Sequence, residues 1–297
     1  MRKIVLLFAI LALQAAPAFA QDAASVALPF GTVPRNIRTL SRGGATLSDD
    51  AAFRVLGDRR FDASLSWYSW SPGTSPSNDI NADIFAKFGK FGISAQFAMD
   101  MGKAYKTYSG LGVSNGSYTP QDMFLKIGAA FSFSPSFSVG ADFRLMRSSA
   151  APKTSFSSVA ADITASYRTG GLTIATGVTS LGAGVKSADG NTYPIPSAAS
   201  LAADYSFRPS DAFSLGFDAQ ADFYFKGGLR AGAGLECGIR DLFFVRAGYS
   251  YAGKSPAPGY LSLGAGFKFA GFRIDAVYLL ASKALSGTLG VGLGYTF

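Results

Sequence analysis

Near the C-terminus, Leu289, Val291, Leu293, Tyr295 and Phe297 share one face of an extended chain, and Gly290, Gly292, Gly294 and Thr296 share the other. The same period of two recurs upstream. Phe213, Leu215, Phe217, Ala219, Ala221, Phe223 and Phe225 alternate with Ser214, Gly216, Asp218, Gln220, Asp222 and Tyr224. Phe137, Val139, Ala141, Phe143 and Leu145 alternate with Ser138, Gly140, Asp142, Arg144 and Met146, and Leu261, Leu263, Ala265, Phe267 and Phe269 with Ser262, Gly264, Gly266 and Lys268. Segments of this kind, bounded by Gly, Pro, Asn, Asp or Ser, are predicted at about 61–70, 80–88, 91–100, 121–134, 137–147, 156–168, 171–180, 197–207, 212–225, 228–239, 242–251, 259–269, 271–281 and 286–297. An even number of strands near ten residues, apolar on one face and small or polar on the other, suits a sheet closed on itself in lipid. The expected fold class is all-β: a 14-stranded antiparallel transmembrane barrel of the bacterial outer membrane.

The connections alternate as well. Gly89-Lys90, Pro135-Ser136, Thr169-Gly170, Pro209-Ser210-Asp211, Arg240-Asp241 and Ala270-Gly271 are tight, as periplasmic turns are. The intervening connections at 71–79, 101–120, 148–155, 181–196, 252–258 and 282–285 are longer, and only Lys226-Gly227 is short among the outer set. A charge on the lipid face near the midplane costs roughly 2 to 4 kcal/mol, so the register is strongly enforced.

Residues 1–20 read as a secretory signal peptide, with Arg2 and Lys3, an apolar run over 4–13 and a small-x-small end at Ala18-Phe19-Ala20, placing the mature start at Gln21. The predicted organisation is a signal at 1–20, an N-terminal plug segment at 21–60 and a barrel at 61–297. Composition agrees: 26 Phe, 13 Tyr and 35 Gly accompany only 15% charged residues, well below soluble usage of roughly 25%. The net charge of +8 is spread without clusters, which argues against nucleic acid, and the single cysteine, Cys237, excludes an internal disulfide.

The register turns Asp62, Asp83, Asp142, Asp162, Asp204, Asp218, Asp222, Glu236 and Asp275 inward together with Lys87, Lys126, Arg144, Arg230, Arg246, Lys268 and Arg273. The signs nearly balance, which points to ion pairs across the lumen, such as Arg230 or Arg246 with Glu236, rather than a filter of one sign. The chain has no histidine, which removes Ser-His and Asp-His catalysis and His-ligated zinc. No catalytic residue, metal or cofactor is expected.

The segment before the first strand contains Arg42-Gly43-Gly44-Ala45, with glycines suited to a positive-φ turn, and Ser48-Asp49-Asp50-Ala51, which reads as a helix N-cap. Its composition suits an element folded into the barrel mouth, with a periplasmic linker as the alternative. Arg42, Gly43, Gly44, Ala45, Asp49, Asp50 and Ala51 resemble, in order, the lead of the PorV/PorQ-like branch of FadL-type outer-membrane barrels; the chain departs from it at Val55-Leu56-Gly57-Asp58, where an Asn-Pro-Ala step is usual. The resemblance implies a fourteen-stranded barrel in outer-membrane lipid with one of two roles. The first is a non-enzymatic accessory of type IX protein secretion that binds secretion subunits or cargo, with Tyr105, Tyr108, Tyr118 and Tyr193 on the long outer loops as anchors. The alternative is a FadL-like transporter that passes a hydrophobic ligand sideways through the wall. For that role the glycine-rich tenth strand, with Gly232, Gly234 and Gly238, is the predicted site of a kink. An unspecific pore is the third possibility.

Overall fold

The computed structural model describes residues 26–70, 76–187, 190–281 and 287–297. The expected signal peptide at 1–20 and the expected mature start at Gln21 lie outside them.

The strands are β1 Phe61–Trp70, β2 Ser77–Phe88, β3 Phe91–Met101, β4 Tyr105–Tyr108, β5 Ser114–Tyr118, β6 Gln121–Ser134, β7 Phe137–Ala151, β8 Thr154–Thr169, β9 Leu172–Gly182, β10 Val185–Lys186, β11 Thr192–Tyr193, β12 Ala198–Ser210, β13 Phe213–Tyr224, β14 Gly228–Ile239, β15 Phe243–Tyr251, β16 Tyr260–Phe269, β17 Phe272–Ala281 and β18 Thr288–Thr296. Fourteen of them close into one antiparallel barrel, each paired with its neighbour in sequence once the two small hairpins β4–β5 and β10–β11 are set aside, with β1 paired to β18. The seam runs from Asp62 opposite Thr296 to Ser69 opposite Leu289. Phe297 reinforces it: its carbonyl accepts the N–H groups of Arg60 and Phe61, and its ring stacks on Phe61 at 5.3 Å.

Alternation sets the two surfaces. In β18, Leu289, Val291, Leu293 and Tyr295 face outward and Thr288 and Thr296 inward. Phe143, Phe217, Leu263, Phe267 and Ile274 continue the exposed apolar surface around the wall, with exposures of 39 to 54% that only lipid makes favourable. Every charge expected inward lies on the inward register.

Two outer connections are more ordered than loops. Residues 148–155 continue the β7–β8 ladder to a turn at Pro152-Lys153, with Lys153 at φ 64, because Ser148 pairs with Phe156 and Ser149 with Ser155. Residues 101–120 fold back as the β4–β5 hairpin.

Residues 26–60 run through the interior as four short turns: 3-10 at Pro29–Thr32 and Thr46–Asp49, helical at Ile37–Leu40 and Ala51–Arg54. Their apolar side chains pack on inward wall positions. Ile37 and Leu40 meet Tyr68, Tyr260, Val277 and Leu279, while Ala51, Ala52 and Val55 meet Phe85 and Ala130. None of these turns is long enough to be stable alone, so the barrel wall holds them helical.

Candidate functional site

The Arg42-Gly43-Gly44-Ala45 turn is the tightest contact between the N-terminal segment and the wall. Gly43 and Gly44 take φ of 74° and 80°, which L side chains rarely adopt. The wall answers with glycines of its own. A β-carbon on Gly232, Gly234 or Gly248 would collide with the backbone of Arg42 or Gly43. Arg230 fixes the turn from above, donating from Nη2 to the carbonyls of Gly43 at 2.6 Å and Gly44 at 2.7 Å while its Nη1 holds Asp222 at 2.8 Å. The glycines of the tenth barrel strand, β14, therefore admit the N-terminal segment. They do not bend the wall, for the β13–β14 and β14–β15 ladders run without a register shift. The expected kink in that strand is absent.

Ion pairs carry the rest of the docking. Arg42 reaches Asp204 at 2.9 Å and Asp218 at 3.1 Å; Arg38 holds Glu236 at 2.6 Å; Arg54 holds Asp83 at 2.8 Å; Arg35 holds Asp79 at 3.2 Å. In the opposite sense Asp50 accepts Lys126 at 2.5 Å. Asp50 does occupy the N-cap of Ala51–Arg54, but its side chain caps no N–H because Lys126 has taken it. The wall also pairs with itself: Arg246 with Glu236 and Asp275, both at 2.6 Å, and Arg144 with Asp162 at 2.5 Å. Of the two partners predicted for Glu236, Arg246 is found and Arg230 is not; Arg230 stands opposite Asp222 and takes that carboxylate instead. Asp142 lies on the inward face beside Lys126, and Lys268, opposite Arg273 in its ladder, joins none of these pairs.

Among the described residues the Asp49 carboxylate forms no ion pair: Arg54 donates to its backbone carbonyl at 3.4 Å, and the carboxylate accepts the Thr39 hydroxyl at 2.7 Å. Burial, helped by the charge of Asp83, pushes its carboxyl up to about 6. Arg38 is held above the ordinary guanidinium range by Glu236.

Sequence reasoning missed an apolar niche at the outer end of the lumen. Inward-facing Ala98, Phe124, Met146 and Ala160 meet Val185 and Ile195 from the 183–196 connection, and Leu28 fills the centre with Phe30 at its edge. The signal was available: Phe124 and Met146 sit in phase with the inward charges Lys126 and Arg144, where polar residues are the rule. Beneath the niche a cavity of only about 60 Å³ is lined by Phe124, Arg35 and Val33. Toward the periplasmic end a wider one of about 400 Å³ lies among Arg38, Arg54, Arg168 and Arg273 and the carboxylates of Asp62, Asp218 and Glu236.

Beside the niche the wall breaks register. Ala161 pairs with Leu181, but Ile163 pairs with Val178, so Thr179 and Ser180 together oppose Asp162 and β9 carries one extra residue there. Ser180 sits at φ 55°, its N–H donates to Asp162 at 2.6 Å, and its carbonyl accepts Ser197 at 2.5 Å.

The four tyrosines do not form one surface. Tyr105 and Tyr118 pack edge to face at 5.9 Å across the β4–β5 hairpin and donate to the carbonyls of Ala150 and Ser149. Tyr193 is half-buried in the β10–β11 ladder, and Tyr108 is 59% exposed.

No protein-family model matches the chain, and no curated protein matches it. Solved structures do. The toluene transporter TodX of Pseudomonas putida superposes with a TM-score of 0.55 at 13% identity, over 93% of this chain and 99% of that one. The CymD monoaromatic hydrocarbon channel gives 0.57 at 12% identity, over 92% and 98%. These neighbours are FadL-type channels, and at such identity the likeness shows the fold. The chain shares with them the fold of a fourteen-stranded outer-membrane β-barrel. The narrower PorV/PorQ resemblance draws no support from them.

Proposed function

We propose that this barrel is a non-enzymatic channel that passes small hydrophobic molecules across the outer membrane, taking them in at the apolar niche and releasing them sideways past the β9 kink. The observation that carries this reading is the juxtaposition itself: the irregular stretch of wall at Thr179-Ser180 lies beside Ala160 and Val185 of the niche. Descriptions of the neighbouring structures as a toluene transporter and a monoaromatic hydrocarbon channel agree with it.

A cavity that holds benzene is on the order of 150 Å³, more than the roughly 60 Å³ open beneath Phe124. A ligand must therefore displace Leu28 and Phe30, which occupy the niche as apolar stand-ins. Residues 26–60 act as the plug: they fill the lumen, answer its charges and block an aqueous path. Straight passage downward would cross the Arg38–Glu236–Arg246 and Arg42–Asp204–Asp218 pairs, where an apolar molecule strands buried ions. Lateral release avoids that.

The secretion-accessory reading came from the PorV/PorQ resemblance and took four loop tyrosines as its anchors, and Tyr105 and Tyr118 spend their hydroxyls within the chain. The deciding test deletes Ser180, which removes the extra residue and restores the ladder, and follows toluene uptake by cells whose outer membrane is otherwise tight. Uptake should fall to the level of cells lacking the protein while the barrel stays heat-modifiable on a gel. Unchanged uptake would remove the lateral route.

A further inference from the structure

Among the described residues, the outer end of the barrel exposes charge of one sign. Lys103, Lys106, Lys153 and Lys186 stand exposed on its hairpins and connections, and Arg147 faces outward near the end of β7. The carboxylates at that end, Asp79, Asp100 and Asp122, lie side by side on the lumen register of β2, β3 and β6 instead. The periplasmic turns carry both signs, as in the exposed Arg208–Asp241 pair at 2.8 Å.

At one point the positive rim meets a shaped apolar surface. Exposed Lys226 and Lys254 lie on neighbouring turns, which pack so closely that a β-carbon on Gly228 would stand 3.5 Å from Cβ of Lys254. Lys254 edges an open groove of about 690 Å³ whose other lining includes the outward-facing Tyr249, Tyr251, Leu261 and Leu280. Those four side chains are 55%, 51%, 42% and 42% exposed, at the level where the lipid-facing strands end. Ser250 and Tyr260 close the inner edge.

We infer that this groove seats a phosphorylated glycolipid of the outer leaflet, of the lipid A type. Its acyl chains lie along Leu261, Leu280 and the tyrosine rings, and its phosphate lies against Lys254 and Lys226. Leu261 and Leu280 stand abreast of Tyr249 in the ladder, Tyr251 lies one step further out, and the lysines follow on the turns, so that apolar wall gives way to cations in the order of such a lipid in its leaflet. A free phosphate would have no use for the leucines. A folded protein partner would be barred from them by the surrounding lipid.

The test titrates the purified full-length barrel in mild detergent with diphosphorylated lipid A, and with the same lipid stripped of phosphate, following occupancy by native mass spectrometry. A lysine near an anionic lipid surface contributes about fivefold in affinity, so the pair predicts roughly a 25-fold preference for the phosphorylated form. The double variant K226Q/K254Q, which alters only exposed turns, should reduce that preference to within about twofold. Equal binding of the two lipids by the unmodified protein overturns the proposal, as does a variant that keeps the preference. Full displacement of lipid A by millimolar inorganic phosphate also overturns it, since the site would then read phosphate and not lipid. The measurement involves no flux, so its failure leaves the channel reading untouched.

Discussion

Glycine at 234 and arginine at 42 show how single residues seat the plug. Gly234→Ala places a methyl group into the backbone of Arg42, an overpacking expected to cost about 1 to 3 kcal/mol. The barrel should remain heat-modifiable while trypsin gains access to Arg42 and Arg54, and protection equal to wild type would sink the idea. Arg42→Ala leaves Asp204 and Asp218 without that guanidinium, and breaking a buried pair costs roughly 3 to 5 kcal/mol. Arg38→Ala should cost clearly less, since Arg246 still holds Glu236 and the Arg38 side chain is already 27% exposed. Denaturant midpoints in one micelle system would rank the two. Asp49 behaves differently because its carboxyl is raised to about 6. Its docked form keeps a proton that the undocked form, near 3.9, has released, so docking weakens as pH rises from about 4 to 6 and is flat above that. Asp49→Asn retains the acceptor for Thr39 and should therefore stabilise docking at pH 7 and change little at pH 4. Melting curves at the two pH values check the sign.

Among the elements, the strands were legible because lipid enforces their alternation at every step, while the kink in β9 was not read. Its trace is nonetheless in the sequence: Leu172, Ile174, Thr176 and Val178 keep an outward phase of two, and the next outward apolar residue, Leu181, comes three positions later. Strand reading looked for glycine as the agent of a bend. The bend comes instead from a serine at positive φ whose N–H is bound by Asp162, a long-range partner that spacing alone does not reveal. The lumen charges were likewise assigned to the correct face but partly to the wrong partners, because Arg35, Arg38, Arg42 and Arg54 come from a segment whose path periodicity cannot trace. The β4–β5 hairpin is a separable element. It reaches the neighbouring β7 strand through the hydroxyls of Tyr105 and Tyr118, so replacing both with Phe should loosen it while lowering the barrel's unfolding free energy by no more than about 2 kcal/mol, two modest hydrogen bonds. A large drop would mean the hairpin braces the wall.

For the molecule as a whole, the wall and the N-terminal segment form one electrostatic object, and removing the segment exposes what it neutralises. A chain lacking residues 26–57 loses Arg35, Arg38, Arg42 and Arg54, leaving Asp79, Asp83, Asp204 and Asp218 turned to an emptied lumen without the guanidinium groups that answer them. On the positive side Lys126 is released by loss of Asp50, and Lys87 and Arg168 lose the carbonyls of Gly57 and Leu56, fewer cations than the four guanidinium groups removed. The fourteen-strand ladder makes its hydrogen bonds within the wall, and the seam at β1–β18 is closed by Arg60, Phe61 and Phe297, which the deletion spares. The truncated barrel should therefore fold, insert and conduct. A lumen lined by surplus carboxylates should favour cations, and the reversal potential in a potassium chloride gradient across a planar bilayer reports this directly. The intact protein should stay silent in the same bilayer, because its plug is bonded to the wall around the circumference. An intact protein that conducts as freely as the truncated one would show that residues 26–57 do not close the lumen, and the case for sideways release would lose its main physical support.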